Sequence, residues 1–203
     1  MKKNIESLNK FFKSEYEQYG GIDLLIKYVM SETIAPIEDY TNVANIVKNN
    51  VHTQISGDLL IIGAYSAIGW TNPQNELLNV LNVMYPYFPD EGKAIIHYLN
   101  SNLIYTKTNM KGNSDYLNEL YKTLDYDVPF VNNRLRIAEH CPKESVKYYA
   151  EALKNIQVVY SKEDVMQFPI EHFLQPRSFI NEHILGTHIS YVNYKTLSDK
   201  IKL

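Results

Sequence analysis

The sequence predicts an all-α fold of antiparallel helical hairpins, packed as a short solenoid or bundle. Three observations point there. Apolar residues recur at three- and four-residue spacing along most of the chain, which places them on one face of a helix. The Gly20-Gly21 pair and a series of prolines interrupt these stretches, so each helix turns back on the one before it. Alternation of the kind a half-buried strand shows is confined to 188–194. There Ile189, Tyr191 and Val192 predict a short strand or an extended tail.

The elements follow in order. Residues 4–19 carry Ile5, Leu8, Phe11, Phe12, Tyr16 and Tyr19 on one helical face. Gly20-Gly21 ends that helix, because glycine accepts the left-handed conformation of a C-cap at no steric cost. A short helix over 22–30 and a more polar one over 37–50 flank Pro36. Ser56-Gly57-Asp58 then introduces the most apolar stretch, 59–70, with Asp58 in the position of an N-cap. Apolar residues on every side of that stretch predict a helix at the centre of the core. Burying Leu59, Leu60, Ile61, Ile62 and Ile68 contributes roughly 8–15 kcal/mol before conformational entropy, as an upper bound.

Asn72-Pro73 starts the next helix, whose apolar face is Leu77, Leu78, Leu81 and Met84. Pro86 and Pro89 close it. Asp90-Glu91 suits the positive end of a following helix that carries Ile95, Ile96, Leu99, Leu103 and Ile104. Gly112-Asn113-Ser114 is a loop before Tyr116, Leu117, Leu120, Tyr121 and Leu124. Pro129 opens a helix through Glu139. Cys141-Pro142-Lys143-Glu144 restarts the chain, with Glu144 placed to reach back to exposed amides. Val146, Tyr149, Ala150, Leu153 and Ile156 follow at helical spacing. Ser161 to Asp164 has the form of a capping box.

With 203 residues, 45% of them hydrophobic and 21% charged, the composition is that of an ordinary soluble protein, expected to fold as a single domain over 1–203. A net charge of -3 and the lack of any dense Lys/Arg block predict no nucleic-acid partner. One cysteine, Cys141, excludes an internal disulfide. The first residues carry no apolar signal region, and 59–70 is too short to span a bilayer. Together these predict a cytoplasmic protein with no membrane partner. The 17 tyrosines stand against 7 phenylalanines, an excess that suits binding surfaces. The AT-rich codons of a low-GC bacterial genome, which also favour Asn, Lys and Ile, account for it equally well.

Ser145-Val146-Lys147-Tyr148-Tyr149-Ala150-Glu151-Ala152-Leu153-Lys154 resembles the second helix of a tetratricopeptide repeat, where small residues, an aromatic pair and Ala-Leu let two helices approach closely. The resemblance covers one helix pair, 129–156. The preceding helix departs from the pattern, with Asn132-Asn133 and Arg136 where the family has Leu-Gly and Tyr, and no 34-residue period is visible. The resemblance implies hairpin packing and a concave surface for a protein or peptide partner.

Little in the chain specifies chemistry. Glu139-His140, Glu171-His172 and Glu182-His183, with His188, invite a metal reading. However, His183 and His188 are five residues apart and fall on different helical faces, whereas helical zinc ligands sit four apart. Cys141 beside His140 resembles a thiol and its base, but neighbours on a helix point about 100° apart. His97-Tyr98, with Asp90 or Glu91 upstream, could form an acid-base pair. No phosphate loop, nucleophile elbow or paired-aspartate motif occurs. The expectation is a non-enzyme with no catalytic residue, metal ligand or cofactor.

The aromatic turn Tyr85-Pro86-Tyr87-Phe88-Pro89 is the best candidate surface, because two prolines stiffen it and its rings lose little entropy on binding. Tyr85 and Phe88 could equally pack the helix junction. The expected binding residues are Trp70, Tyr85, Tyr87, Phe88 and Tyr98. The expected function is non-catalytic binding of another protein or peptide, as an adaptor or as a toxin-neutralising protein of the immunity type. The alternative is an enzyme or small-ligand binder with an interhelical pocket that uses His97, His172 or His183.

Overall fold

A computed structural model describes residues 54–69, 76–109, 111–160 and 176–201 of the chain. The helices expected within 4–50, the Asn72-Pro73 start, Trp70, the 161–164 capping box and His172 lie outside the described residues. Eight α-helices are present among the described residues: α1 (Gln54–Gly69), α2 (Glu76–Met84), α3 (Asp90–Lys107), α4 (Ser114–Lys122), α5 (Val131–His140), α6 (Ser145–Lys154), α7 (Pro176–Phe179) and α8 (Tyr191–Ile201). From α1 to α6 each helix packs on its successor, as the hairpin pattern requires.

The apolar stretch behaves as expected. Leu60, Ile61, Ile62 and Ile68 of α1 are buried, and they meet Leu78 and Leu81 of α2 and Ile95 and Leu99 of α3 in one continuous core. Asp58 departs from its expected role. The described part of α1 already begins at Gln54, so Asp58 lies inside the helix and cannot cap it. Its side chain is instead buried against Arg177 of α7.

Local signals set most helix ends. Asn113 caps α4 by accepting a hydrogen bond from the Tyr116 amide at 2.8 Å. Asp90 and Glu91 occupy the first turn of α3 and Lys107 its last, the arrangement the helix dipole favours. Glu144 makes no side-chain cap to α6, contrary to expectation. The chain between α5 and α6 tightens into a 3-10 turn, Pro142–Glu144, and the Ser145 hydroxyl donates to the Pro142 carbonyl across it.

The C-terminal part holds two departures. Gln157–Tyr160 forms a strand, β1, that pairs in parallel with β2 (His188–Ser190). Ile189 is in the strand as expected, but Tyr191 and Val192 begin α8 instead of extending it. Strand β2 ends at Ser190, and α8 follows at once and packs on α6 and on both strands. Between α7 and β2 the backbone makes one π-helical turn, Ile180–Ile184. Its last carbonyls have no partner within the helix. Asn132 of α5 supplies one: its side-chain amide donates to the His183 and Ile184 carbonyls at 3.1 and 2.9 Å, and its backbone amide donates to Leu185 at 2.9 Å. The same contact satisfies an orphan amide at the start of α5, which has no side-chain cap of its own.

Candidate functional site

The Tyr85-Pro86-Tyr87-Phe88-Pro89 turn is built by two inward aromatic rings, Tyr85 and Phe88, that hold one outward, Tyr87. Helix α2 ends at Met84, and a 3-10 turn, Tyr85–Tyr87, carries the chain to Phe88, whose amide bonds back to the Tyr85 carbonyl at 3.2 Å. Phe88 is buried. Its ring lies against Gly57 of α1 and Gly92 of α3; a Cβ on Gly57 would stand 3.0 Å from the ring and one on Gly92 2.5 Å. Any side chain at Gly92 would therefore displace it.

Tyr85 is anchored by polar contacts. Its hydroxyl meets His97 Nε2 at 3.0 Å and the Tyr126 hydroxyl. His97 Nδ1 meets Glu119 at 2.8 Å, and Lys122 caps the outer oxygen of that carboxylate. The His97 and Tyr126 rings stack, with centroids 6.2 Å apart. Burial and the hydrogen bond to Tyr126 push the Tyr85 phenol up to about 12. Burial pushes the Glu119 carboxyl up as well, but hydrogen bonds from Lys122 and His97 more than offset it and leave it below its ordinary value. With both ring nitrogens engaged inside the protein, His97 acts as an anchor for Tyr85.

Tyr87 is what the turn displays. It is 46% exposed, and Val83, one helical turn earlier, is 69% exposed, with Pro86 and Pro89 uncovered beside them. The expected aromatic surface is thus divided. Tyr87 faces outward, Tyr85 is half-buried, and Phe88 and Tyr98 belong to the core. Tyr98 packs on Phe130 with centroids 4.8 Å apart and is not a surface residue. It lies on the inner face of α3, one residue on from His97.

The other chemical candidates separate. The Cys141 thiol meets the Tyr121 hydroxyl at 3.2 Å, while the His140 ring packs between Tyr105 and Tyr116, so the two neighbours form no dyad. His183 stacks on Phe179 and lies 3.5 Å from Glu182. Among the described residues no three His, Cys, Asp or Glu side chains gather as a metal site.

Several important residues carried no signal in the sequence. Glu119 reaches His97 through the packing of α4 on α3, and Tyr126, just past the 3-10 turn Thr123–Asp125 that follows α4, reaches Tyr85. Arg177 bridges Asp58 of α1 at 3.0 Å and Glu91 of α3 at 2.6 Å across separations of 119 and 86 residues. Val83 alone was open to detection, from its four-residue spacing to Tyr87.

No protein-family model, curated protein or solved structure matches this chain. What is defined is an all-α protein of serial helical hairpins that displays one stiff aromatic turn. No helix among the described residues is long and apolar enough to cross a membrane.

Proposed function

We propose that the protein binds another protein or peptide, without catalysis, through the surface formed by Val83, Pro86 and Tyr87. The observation that supports this reading is the exposure of Tyr87 and Val83 on a turn whose neighbouring rings are locked inside. A tyrosine displayed in this way gives large contact area at low entropic cost. The likeness of 129–156 to a tetratricopeptide helix pair favours the same reading, since that family offers concave surfaces to peptides. Within this class the protein is an adaptor or the neutralising partner of a toxin in the cytoplasm. A net charge of -3 suits a basic partner, whose approach it would steer. The enzyme reading draws less support, because His97 has no nitrogen left for a substrate proton.

Photo-crosslinking from position 87 in the native host tests the proposal. One protein should be trapped. Its affinity, measured with purified partners, should fall about tenfold or more in Val83→Asp and in Tyr87→Ala, as hot-spot truncations do. The stability of both variants should stay within about 0.5 kcal/mol of the parent. If no protein is trapped, or if an affinity is unmoved by both changes, the reading is wrong.

A further inference from the structure

The seat of Phe88 adjoins a buried ionic cluster. Gly57 precedes Asp58 in α1, and Gly92 follows Glu91 in α3. The two glycines form the walls against which Phe88 packs, and the two adjacent carboxylates share the guanidinium of Arg177. The cluster and the aromatic seat thus occupy the same crossing of α1 and α3, with α7 laid across it.

The cluster is unbalanced. Among the described residues two carboxylates face one guanidinium, so full ionisation leaves one negative charge. Glu91 and Arg177 are each about one-third exposed and share that charge with water. Asp58 cannot, because its side chain is 5% exposed and its Oδ2 is buried with no hydrogen-bond partner among the described residues. Burying an ionised carboxylate with an oxygen unpaired is costly, and a proton removes most of that cost.

We propose that Asp58, Arg177 and Glu91 form a proton-operated clasp, in which protonation of Asp58 tightens the α1–α3–α7 crossing and seats the Tyr85–Phe88 turn more firmly. The consequence for partner binding rests on the reading of that turn as the binding surface; the clasp itself does not. Among the described residues, the groups that face Asp58 are Arg177 from α7 and Glu91 from α3. His183, on the π-turn that also packs on α1, is turned against Phe179 and Glu182.

Burial raises Asp58 to about 7 from an ordinary 3.8, against the opposing pull of Arg177. A carboxyl whose value is raised by folding stabilises the folded state in its protonated form. That contribution is complete below the unfolded value. It is lost as pH rises from about 4 through 7, so the crossing is tighter on the acid side of neutrality.

Amide exchange of the full chain, corrected for intrinsic rates, tests the clasp without any partner. Protection at Phe88 and Lys93, whose amides donate to the Tyr85 and Pro89 carbonyls, should rise about tenfold from pH 8 to pH 6, which is the linkage expected of one proton with a midpoint near 7. In Asp58→Asn that change should vanish. In Glu91→Gln it should persist with a lower midpoint, since one negative neighbour is gone; this variant carries the test if Asp58→Asn folds poorly. Protection that does not vary with pH in the parent overturns the clasp. So does a pH response that survives in Asp58→Asn. A crosslinking yield from position 87 that ignores pH, while exchange responds as stated, rejects the link to the binding surface and leaves the clasp standing.

Discussion

Phe88→Ala is expected to destabilise the protein by about 3–5 kcal/mol, a fall of roughly 6–20 °C in the thermal midpoint. The large value follows from what surrounds the ring. A cavity costs less when neighbouring side chains relax into it, but Gly57 and Gly92 have none to offer, and the backbones of α1 and α3 are held apart by the rest of the core. Tyr87→Ala, one residue away, should move stability by no more than about 0.5 kcal/mol. Gly92→Ala supplies the internal control. Alone it should cost about 1–3 kcal/mol by overpacking the ring. Combined with Phe88→Ala, its methyl group enters the space the ring has left, so the double variant should be more stable than the sum of the two losses by about 1 kcal/mol or more. Chemical denaturation of the four proteins measures the cycle. Additive losses would show that Phe88 and Gly92 do not share a seat.

The same pair shows which parts of this structure were open to reading from the sequence. Helices announce themselves locally: the 3.6-residue period of α3, the asparagine before α4 and the prolines after α2 act within one turn of the residues they organise. The all-α architecture therefore followed from pattern alone, as did the division of labour within the aromatic turn at the level of two open alternatives. The partners of that turn were not legible. Phe88 meets Gly57 across 31 residues, His97 meets Glu119 across 22, and Asp58 meets Arg177 across 119. No local period encodes such a meeting. Asp58 is the instructive failure, because aspartate after glycine and before an apolar run has every local mark of an N-cap. The helix extends past it, and a charged residue on the buried side then needs Arg177. Strand β1 was missed for a similar reason: Gln157-Val158-Val159-Tyr160 continues the apolar spacing of α6, and only pairing with β2 makes it a strand.

Gly186→Ala should be the most damaging change in the C-terminal part, at about 2–4 kcal/mol. Gly186 has φ +71, in the left-handed region, where a Cβ costs roughly 1–2 kcal/mol. Space adds to conformation. A Cβ there would strike the Asn132 side chain, which is held by its two hydrogen bonds to the end of the π-turn. Asn132 can yield only by releasing those carbonyls, each a buried group whose lost partner costs about 1 kcal/mol or more. The two contributions separate by experiment. Asn132→Ala makes room but surrenders the same hydrogen bonds, so it should be destabilising alone and should reduce the further cost of Gly186→Ala to the conformational part, about 1–2 kcal/mol. Amide exchange should locate the damage. Gln157 donates to the Thr187 carbonyl at 2.7 Å, and Thr187 donates to Asn181 at 2.8 Å, so both amides should lose protection in Gly186→Ala before those of α3 do. A Gly186→Ala protein as stable as the parent, or one that loses protection uniformly through α3, would show that the Asn132 lock does not hold the π-turn and the β1–β2 pair to the helical hairpins.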